Sequence, residues 1–286
     1  APLRSNPPLI LIGHPDLPVQ CASVIARPKK GKTRVEKHDK AIKVSAPGMN
    51  LLFSAPLFSP SVRTGQSLSL AFREIEKVLC ACKMQDAALA RTWLFMENIL
   101  RDYDLLNKAR KFFFEKQFSS VTSFFPASTS IQGNVIGSQL LSIEFCAFSG
   151  EALSLSQQPS PLQNEPTTYG KMFSRAVGVR FPKNTLLFIS GTASINKTGE
   201  TLHVGDFEGQ MTFILEVVSN ILHQVNGTFS DVAQAIIYLK RSKDFVPCLR
   251  LVDKAEFPCA KTMFQIDTPV CRDDLLCEME ATALLA

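Results

Sequence analysis

The feature that most constrains this chain is an internal repeat. Gly65-Gln66 opens an amphipathic stretch that runs into the apolar segment Arg91-Thr92-Trp93-Leu94-Phe95, and Gly209-Gln210 opens another that runs into Ala235-Ile236-Ile237-Tyr238-Leu239. Each copy then shows a second helix-like segment and closes on a strand, Ile143-Glu144-Phe145-Cys146-Ala147 in the first and Cys277-Glu278-Met279-Glu280-Ala281 in the second. A duplicated unit creates a cleft between its copies, and chemistry is expected where the copies differ.

Hydrophobic spacing gives the unit its fold class. Apolar residues Leu70, Phe72, Ile75, Val78 and Leu79 follow helical spacing and predict a helix over 66–84, followed by a buried strand over 93–96 and a second helix over 100–118. One or two strands are expected within 128–148. In the second copy the pattern predicts strands over 173–181 and 185–195, a helix over 210–225, a strand over 233–239, a helix over 244–257, and strands over 262–266 and 275–283. The order β-β-α-β-α-β-β predicts an α+β protein with mixed sheets and helices packed on one face of each. The expected division is an N-terminal domain over 1–150 that includes an N-terminal extension, a Ser-, Gln- and Pro-rich linker over 151–168, and a second domain over 169–286. The first copy is the longer, with its extra residues near 100–132, around the basic second helix and the loop Pro126-Ala127-Ser128-Thr129-Ser130.

Composition excludes several classes. With 45% hydrophobic and 20% charged residues among 286, the chain has enough apolar material for two cores. It contains no run of about 20 apolar residues, and its start lacks a secretory layout, so no membrane association and a cytoplasmic home are expected. Eight cysteines without a C-x-x-C pair fit reduced thiols better than a disulfide scaffold or a zinc site. The net charge of +5 is concentrated in residues 27–43, which read as a solvated loop; with no aromatic residues interleaved for base stacking, no nucleic-acid partner is expected. A short apolar run over 9–12 reads as a strand.

Three arginine-bearing segments suit bidentate binding of carboxylates: Leu106-Asn107-Lys108-Ala109-Arg110, Tyr169-Gly170-Lys171-Met172-Phe173-Ser174-Arg175 and Cys271-Arg272-Asp273-Asp274. Glu278 and Glu280 stand two apart on a strand, so they share one face while Cys277 and Met279 point the other way. That face opens either on solvent or on a cleft; in an apolar cleft, desolvation would make Glu278 a useful general acid. The four histidines lack ligand spacing.

Taken in order, these blocks, together with Ile189-Ser190-Gly191-Thr192-Ala193-Ser194-Ile195, His203-Val204-Gly205-Asp206 and Trp93-Leu94-Phe95-Met96-Glu97-Asn98-Ile99, resemble the chorismatases from about Met49 onward. The resemblance implies two tandem domains of the Rid/YjgF type, a chorismate mutase-like α+β fold. It also implies cleavage of chorismate with release of pyruvate, without metal or organic cofactor. By motif position Glu278 matches the acid, Arg110 and Arg175 the carboxylate clamps, and Tyr169 an orienting hydroxyl; Thr129, Ala193 and Cys271 are further expected pocket residues. Cys271 resembles the type that forms 3-hydroxybenzoate, some members giving 4-hydroxybenzoate as well, whereas an alanine at 193 leans toward hydrolysis to a dihydroxycyclohexadiene carboxylate. One active site per chain is expected, in a monomer or small homo-oligomer. The readings from other classes are an imine or enamine deaminase and a non-catalytic metabolite-binding module.

Overall fold

The two copies fold as two sheets with the same strand order. The computed structural model describes residues 12–13, 33–60, 65–117, 124–133 and 139–286. The first half comprises β1 (Ile12–Gly13), β2 (Arg34–His38), β3 (Ala41–Ala46), β4 (Met49–Ser54), β5 (Leu57–Phe58), α1 (Gly65–Ala81), β6 (Ala88–Met96), α2 (Ile99–Gln117), β7 (Ala127–Gln132) and β8 (Leu141–Ser149). The second comprises β9 (Ser154–Gln158), β10 (Ala176–Arg180), β11 (Thr185–Thr192), α3 (Phe207–His223), β12 (Val232–Leu239), α4 (Phe245–Lys254), β13 (Thr262–Gln265) and β14 (Cys277–Leu285). One sheet runs β2-β3-β4-β8-β6-β7, and the other runs β9-β10-β11-β14-β12-β13 and gains β1 at its far edge. In both, the closing strand (β8 or β14) lies antiparallel to the strand that follows the first helix, and the strand after the second helix pairs parallel to that one. The mixed α+β architecture expected from the periodicity is the one observed.

Two differences from the sequence reading have simple causes. The basic segment is not all loop: β2 and β3 form a hairpin in which Val35 faces Val44 and Lys37 faces Ile42 across the pair. Its alternation is masked by lysines, which a strand with an exposed face accommodates readily. Residues 151–168, expected to join the halves, carry β9, which pairs with β10. The strand expected over 9–12 and the basic residues 27–32 lie outside the described residues, except for Ile12.

Each sheet buries one face under its helices. Leu68, Phe72, Ile75 and Leu79 form the inner stripe of α1 and pack with Phe113 of α2 on the first sheet. Met211, Ile214, Val218 and Ile221 of α3 do the same on the second. The opposite faces meet each other: Ala90, Cys146 and Phe148 pack against Val177, Val179 and Phe188, with the Phe148 and Phe188 ring centroids 6.1 Å apart. Burying one such aromatic is worth about 1.5–3 kcal/mol. Cys277, Met279 and Ala281 of β14 point into the helical core, which turns Glu278 and Glu280 toward the other half.

Candidate active site

The halves are sewn together along β7 and the start of the second domain. Ala127 bridges Ser174 in parallel, Ser174 N donates to Pro126 O at 3.0 Å, and Ser128 N donates to Ser190 Oγ at 2.8 Å. Gly191 N donates to Thr129 Oγ1 at 3.0 Å across the same seam. Beside it opens a cavity of about 300 Å³ lined from both halves.

Glu278 lines this cavity and is only 4% exposed. Burial, then the neighbouring Glu280, push its carboxyl up to about 8, against an opposing pull from Arg91. It is therefore protonated at neutral pH, the state in which a carboxyl group donates a proton. The backbone is shaped for it at Gly191, which lies within the register shift of β11 between Ile189 and Thr192. A Cβ at position 191 would clash with Glu278 Oε1.

Arg110 reaches the cavity from α2. It is 1% exposed, its Nη2 donates to Asn107 Oδ1, and its guanidinium carbon lies 5.1 Å from the centroid of the Phe173 ring. Its Nε has no hydrogen-bond partner, and no carboxylate pairs with it among the described residues. Burial pulls its pKa down from the ordinary value. A buried cation without a counter-ion is unfavourable until an anion enters.

Arg175 is held from below. Its Nε and Nη2 donate to Asn164 O at 3.0 and 2.8 Å, and Nη2 also donates to Tyr169 Oη at 2.8 Å. Tyr169 ends a short turn, Pro166–Tyr169, closed by Gly170 in the left-handed region at φ 79°. Burial raises its phenol pKa, with Arg175 opposing. Lys171 places Nζ 4.8 Å from the centroid of the Tyr103 ring, a cation–π contact at the cavity wall.

Cys271 and Ala193 also line the cavity. Burial, then the charge of Glu278, push the Cys271 thiol up to about 12, so it is a neutral thiol rather than a nucleophilic thiolate. Its loop is fixed by Gln210 of α3, which donates to Asp274 O at 2.9 Å and accepts from Leu276 N at 2.8 Å, and by Arg272 Nη1 donating to Gly199 O at 2.6 Å. Thus Glu278, Arg110, Arg175, Tyr169, Ala193 and Cys271 border one cavity. Thr129 stands behind its wall, where its hydroxyl accepts from Gly191 N and from Arg91 Nη2. Among the described residues no three His, Cys, Asp or Glu side chains cluster as metal ligands, and no helix is long and apolar enough to cross a membrane.

Sequence reasoning passed over Tyr103, Arg91 and the closeness of Gly191. By spacing Tyr103 falls on the apolar side of α2 with Leu106 and Phe113, yet Tyr103, Asn107 and Arg110 stand at i, i+4 and i+7, a polar stripe inside that face. Asn107 Nδ2 donates to Tyr103 O at 2.8 Å along it.

An α+β unit used twice, with a carboxyl group from one copy and a guanidinium from the other at one cavity on the seam, defines a tandem-repeat protein with a shared candidate site. The Endoribonuclease L-PSP family matches residues 163–285, the second half. The chain superposes on a solved chorismatase with a TM-score of 0.69 at 21% identity, covering 89% of this chain and 80% of the other. A 3-hydroxybenzoate synthase of Streptomyces hygroscopicus is 27% identical over 223 residues, 69% of this chain. The chain spans 64% of that relative's length. A 3-aminoacrylate deaminase, RutC, of Acinetobacter baylyi is 25% identical over 101 residues, 35% of this chain and 79% of the relative. In fold the chain is similar to a chorismatase over most of its length, and its second half matches the Endoribonuclease L-PSP family.

Proposed function

We propose that this protein is an enzyme that cleaves the enolpyruvyl ether of chorismate and releases pyruvate, with 3-hydroxybenzoate as the main second product. The observation that carries the reading is the pairing, in one cavity, of a carboxyl held neutral by burial with a buried arginine that has no carboxylate partner among the described residues. Chorismate is a dicarboxylate, and each charge-assisted hydrogen bond to it is worth about 1.5–3 kcal/mol. Arg110 and Arg175 act as the carboxylate clamps, and Tyr169 orients the substrate through its hydroxyl.

Glu278 then protonates the methylene carbon of the enolpyruvyl group, creating an oxocarbenium-like centre. Attack by a hydroxyl of the substrate itself, followed by loss of pyruvate and aromatisation, gives hydroxybenzoate with no water consumed. Attack by water gives instead a dihydroxycyclohexadiene carboxylate and pyruvate, the alternative outcome. Cys271 favours the aromatic product, and the similarity to a 3-hydroxybenzoate synthase supports the same side. Ala193 and Thr129 shape the pocket rather than take part in proton transfer. One site per chain operates, in a monomer or small homo-oligomer.

The similarity to a 3-aminoacrylate deaminase favours a second reading, an imine or enamine deaminase. Purified protein incubated with chorismate should release pyruvate, detected by coupled reduction to lactate, and a chromatogram should show 3-hydroxybenzoate. Intact chorismate, together with ammonia release from a 2-iminoacid, would replace the first reading by the second.

A further inference from the structure

Beside Glu278 lies a second carboxylate that the proposed chemistry does not use. Glu280 is buried, and its two oxygens accept from Arg91 Nη2 at 2.7 Å and from Trp93 Nε1 at 2.9 Å, both on β6 of the other half. Arg91 is itself 2% exposed, and its guanidinium carbon sits 4.9 Å from the centroid of the Trp93 ring. Arg91 Nη2 also donates to Thr129 Oγ1, and the same hydroxyl receives Gly191 N. Gly191 in turn abuts the Glu278 carboxyl. A continuous line of contacts therefore runs from Glu280 through Arg91, Thr129 and Gly191 to Glu278.

A buried ion pair is a poor source of stability, because desolvating both ions offsets their attraction. The repeat provides an internal control for its retention. Glu144 faces Trp93 across the strands as Glu278 faces Tyr238, and in that register Cys146 stands where Glu280 does and Ile236 where Arg91 does. The matching positions have no ion pair, and the fold forms there all the same.

We propose that Arg91 and Glu280 act together as positioning residues for Glu278, fixing where its carboxyl lies and how firmly it holds its proton. The cavity is rich in cations, with Arg110, Lys171, Arg175 and Arg272 on its walls, and cations favour an ionised carboxylate. The groups that act on or respond to Glu278 are Glu280 on its own strand, Arg91 of β6, Tyr238 of β12, Tyr103 of α2 and the thiols of Cys271 and Cys277. Burial pushes both phenols and both thiols upward, so they stay neutral. That leaves Glu280 and Arg91 as the charges in this set. Glu280 opposes ionisation of Glu278 more strongly than Arg91 favours it.

The inference rests on the reading of Glu278 as the acid, and its decisive test needs no substrate. The Glu278 carboxyl would be titrated by carbon NMR in full-length protein labelled at glutamate Cδ, its resonance assigned with Glu278→Gln. Glu280→Gln removes the charge and keeps the shape; the Glu278 midpoint should fall by about one pH unit or more. In the same variant kcat above neutral pH should fall at least about tenfold and recover on acidification, with KM little changed. The double variant Arg91→Met/Glu280→Met removes both ions without leaving either unpaired. It should fold and return the midpoint most of the way to the parent value, but with lower kcat, because Thr129 has lost its anchor. An unchanged midpoint in Glu280→Gln, or a double variant with full kcat, overturns the proposal. Parent protein that leaves chorismate intact overturns the functional reading and leaves the titration result standing.

Discussion

Glu144 and Glu278 close the same repeat on matching strands, yet only one of them has the surroundings of an acid. Burial, then Glu280, raise Glu144 to about 6, whereas Glu278 is buried more deeply and reaches about 8. The opening glutamines diverge too: Gln66 is exposed, while Gln210 is fully buried and fastens the loop before β14. One backbone plan therefore gives two outcomes, and the neighbours brought by the opposite half decide between them. The first half presents Arg110, Arg91 and Trp93 to the second, and the second half's counterpart of Arg91 is apolar.

The sharpest way to break this comparison is to change both glutamates alike. Glu278→Gln should lower pyruvate release by about a thousandfold, within the range of general-acid contributions, while circular dichroism stays unchanged. Glu144→Gln should stay within about twofold of the parent, and comparable losses in the two variants would abolish the division of labour. Next in size is Gly191→Ala. A methyl group there displaces the Glu278 carboxyl, and a misplacement of about 1 Å is worth a loss of about a hundredfold. A normal rate would mean that the carboxyl has freedom elsewhere in the cavity.

Arg110→Ala should raise KM for chorismate by about tenfold to a hundredfold, the equivalent of one charge-assisted bond. An unaffected KM would remove the first half from the clamp. The pH profile should respond more gently. Under the proposed reaction Glu278 acts only while protonated, so the rate should hold below about pH 8 and fall about tenfold per unit above it. Stability should decline from the ordinary carboxylate range up to about pH 8, because there the unfolded chain has released a proton that the folded chain retains. A chemical denaturation series at three pH values checks the slope. The smallest effect belongs to the glutamines. Gln210→Ala strands the buried Leu276 N and should cost about 1–3 kcal/mol, lowering the melting temperature by several degrees. Gln66→Ala should be silent, within about 0.5 kcal/mol.

Much of this was legible in the sequence because periodicity records which face of an element is buried. The helices, the closing strands and the alternation that sets Glu278 apart from Cys277 and Met279 all follow from spacing. Spacing gave no access to what lies opposite a strand. Arg91 sits among apolar residues of β6 and reads as a strand edge, and its partner Glu280 is far away in the chain; only the packing of sheet on sheet unites them. Gly191 falls inside the strand expected over 185–195, and its closeness to a carboxyl depends on the same packing. The hairpin of β2 and β3 was hidden for the opposite reason, since local charge obscured a weak alternation.

The cations around the cavity have a consequence for the end of the catalytic cycle. Arg101, Arg110, Lys171, Arg175 and Arg272 border it against only Asp104 and Glu278, a field that draws a dianion inward and weakens as salt screens it. Under the proposed reaction one dianion becomes two monoanions, and both are still attracted by the walls that captured their parent. Departure of pyruvate and the aromatic acid is then slowed by the same walls, while breakage of the ether, which needs the Glu278 proton, still sets kcat. Moderate salt should slow capture and speed clearance in the same tube.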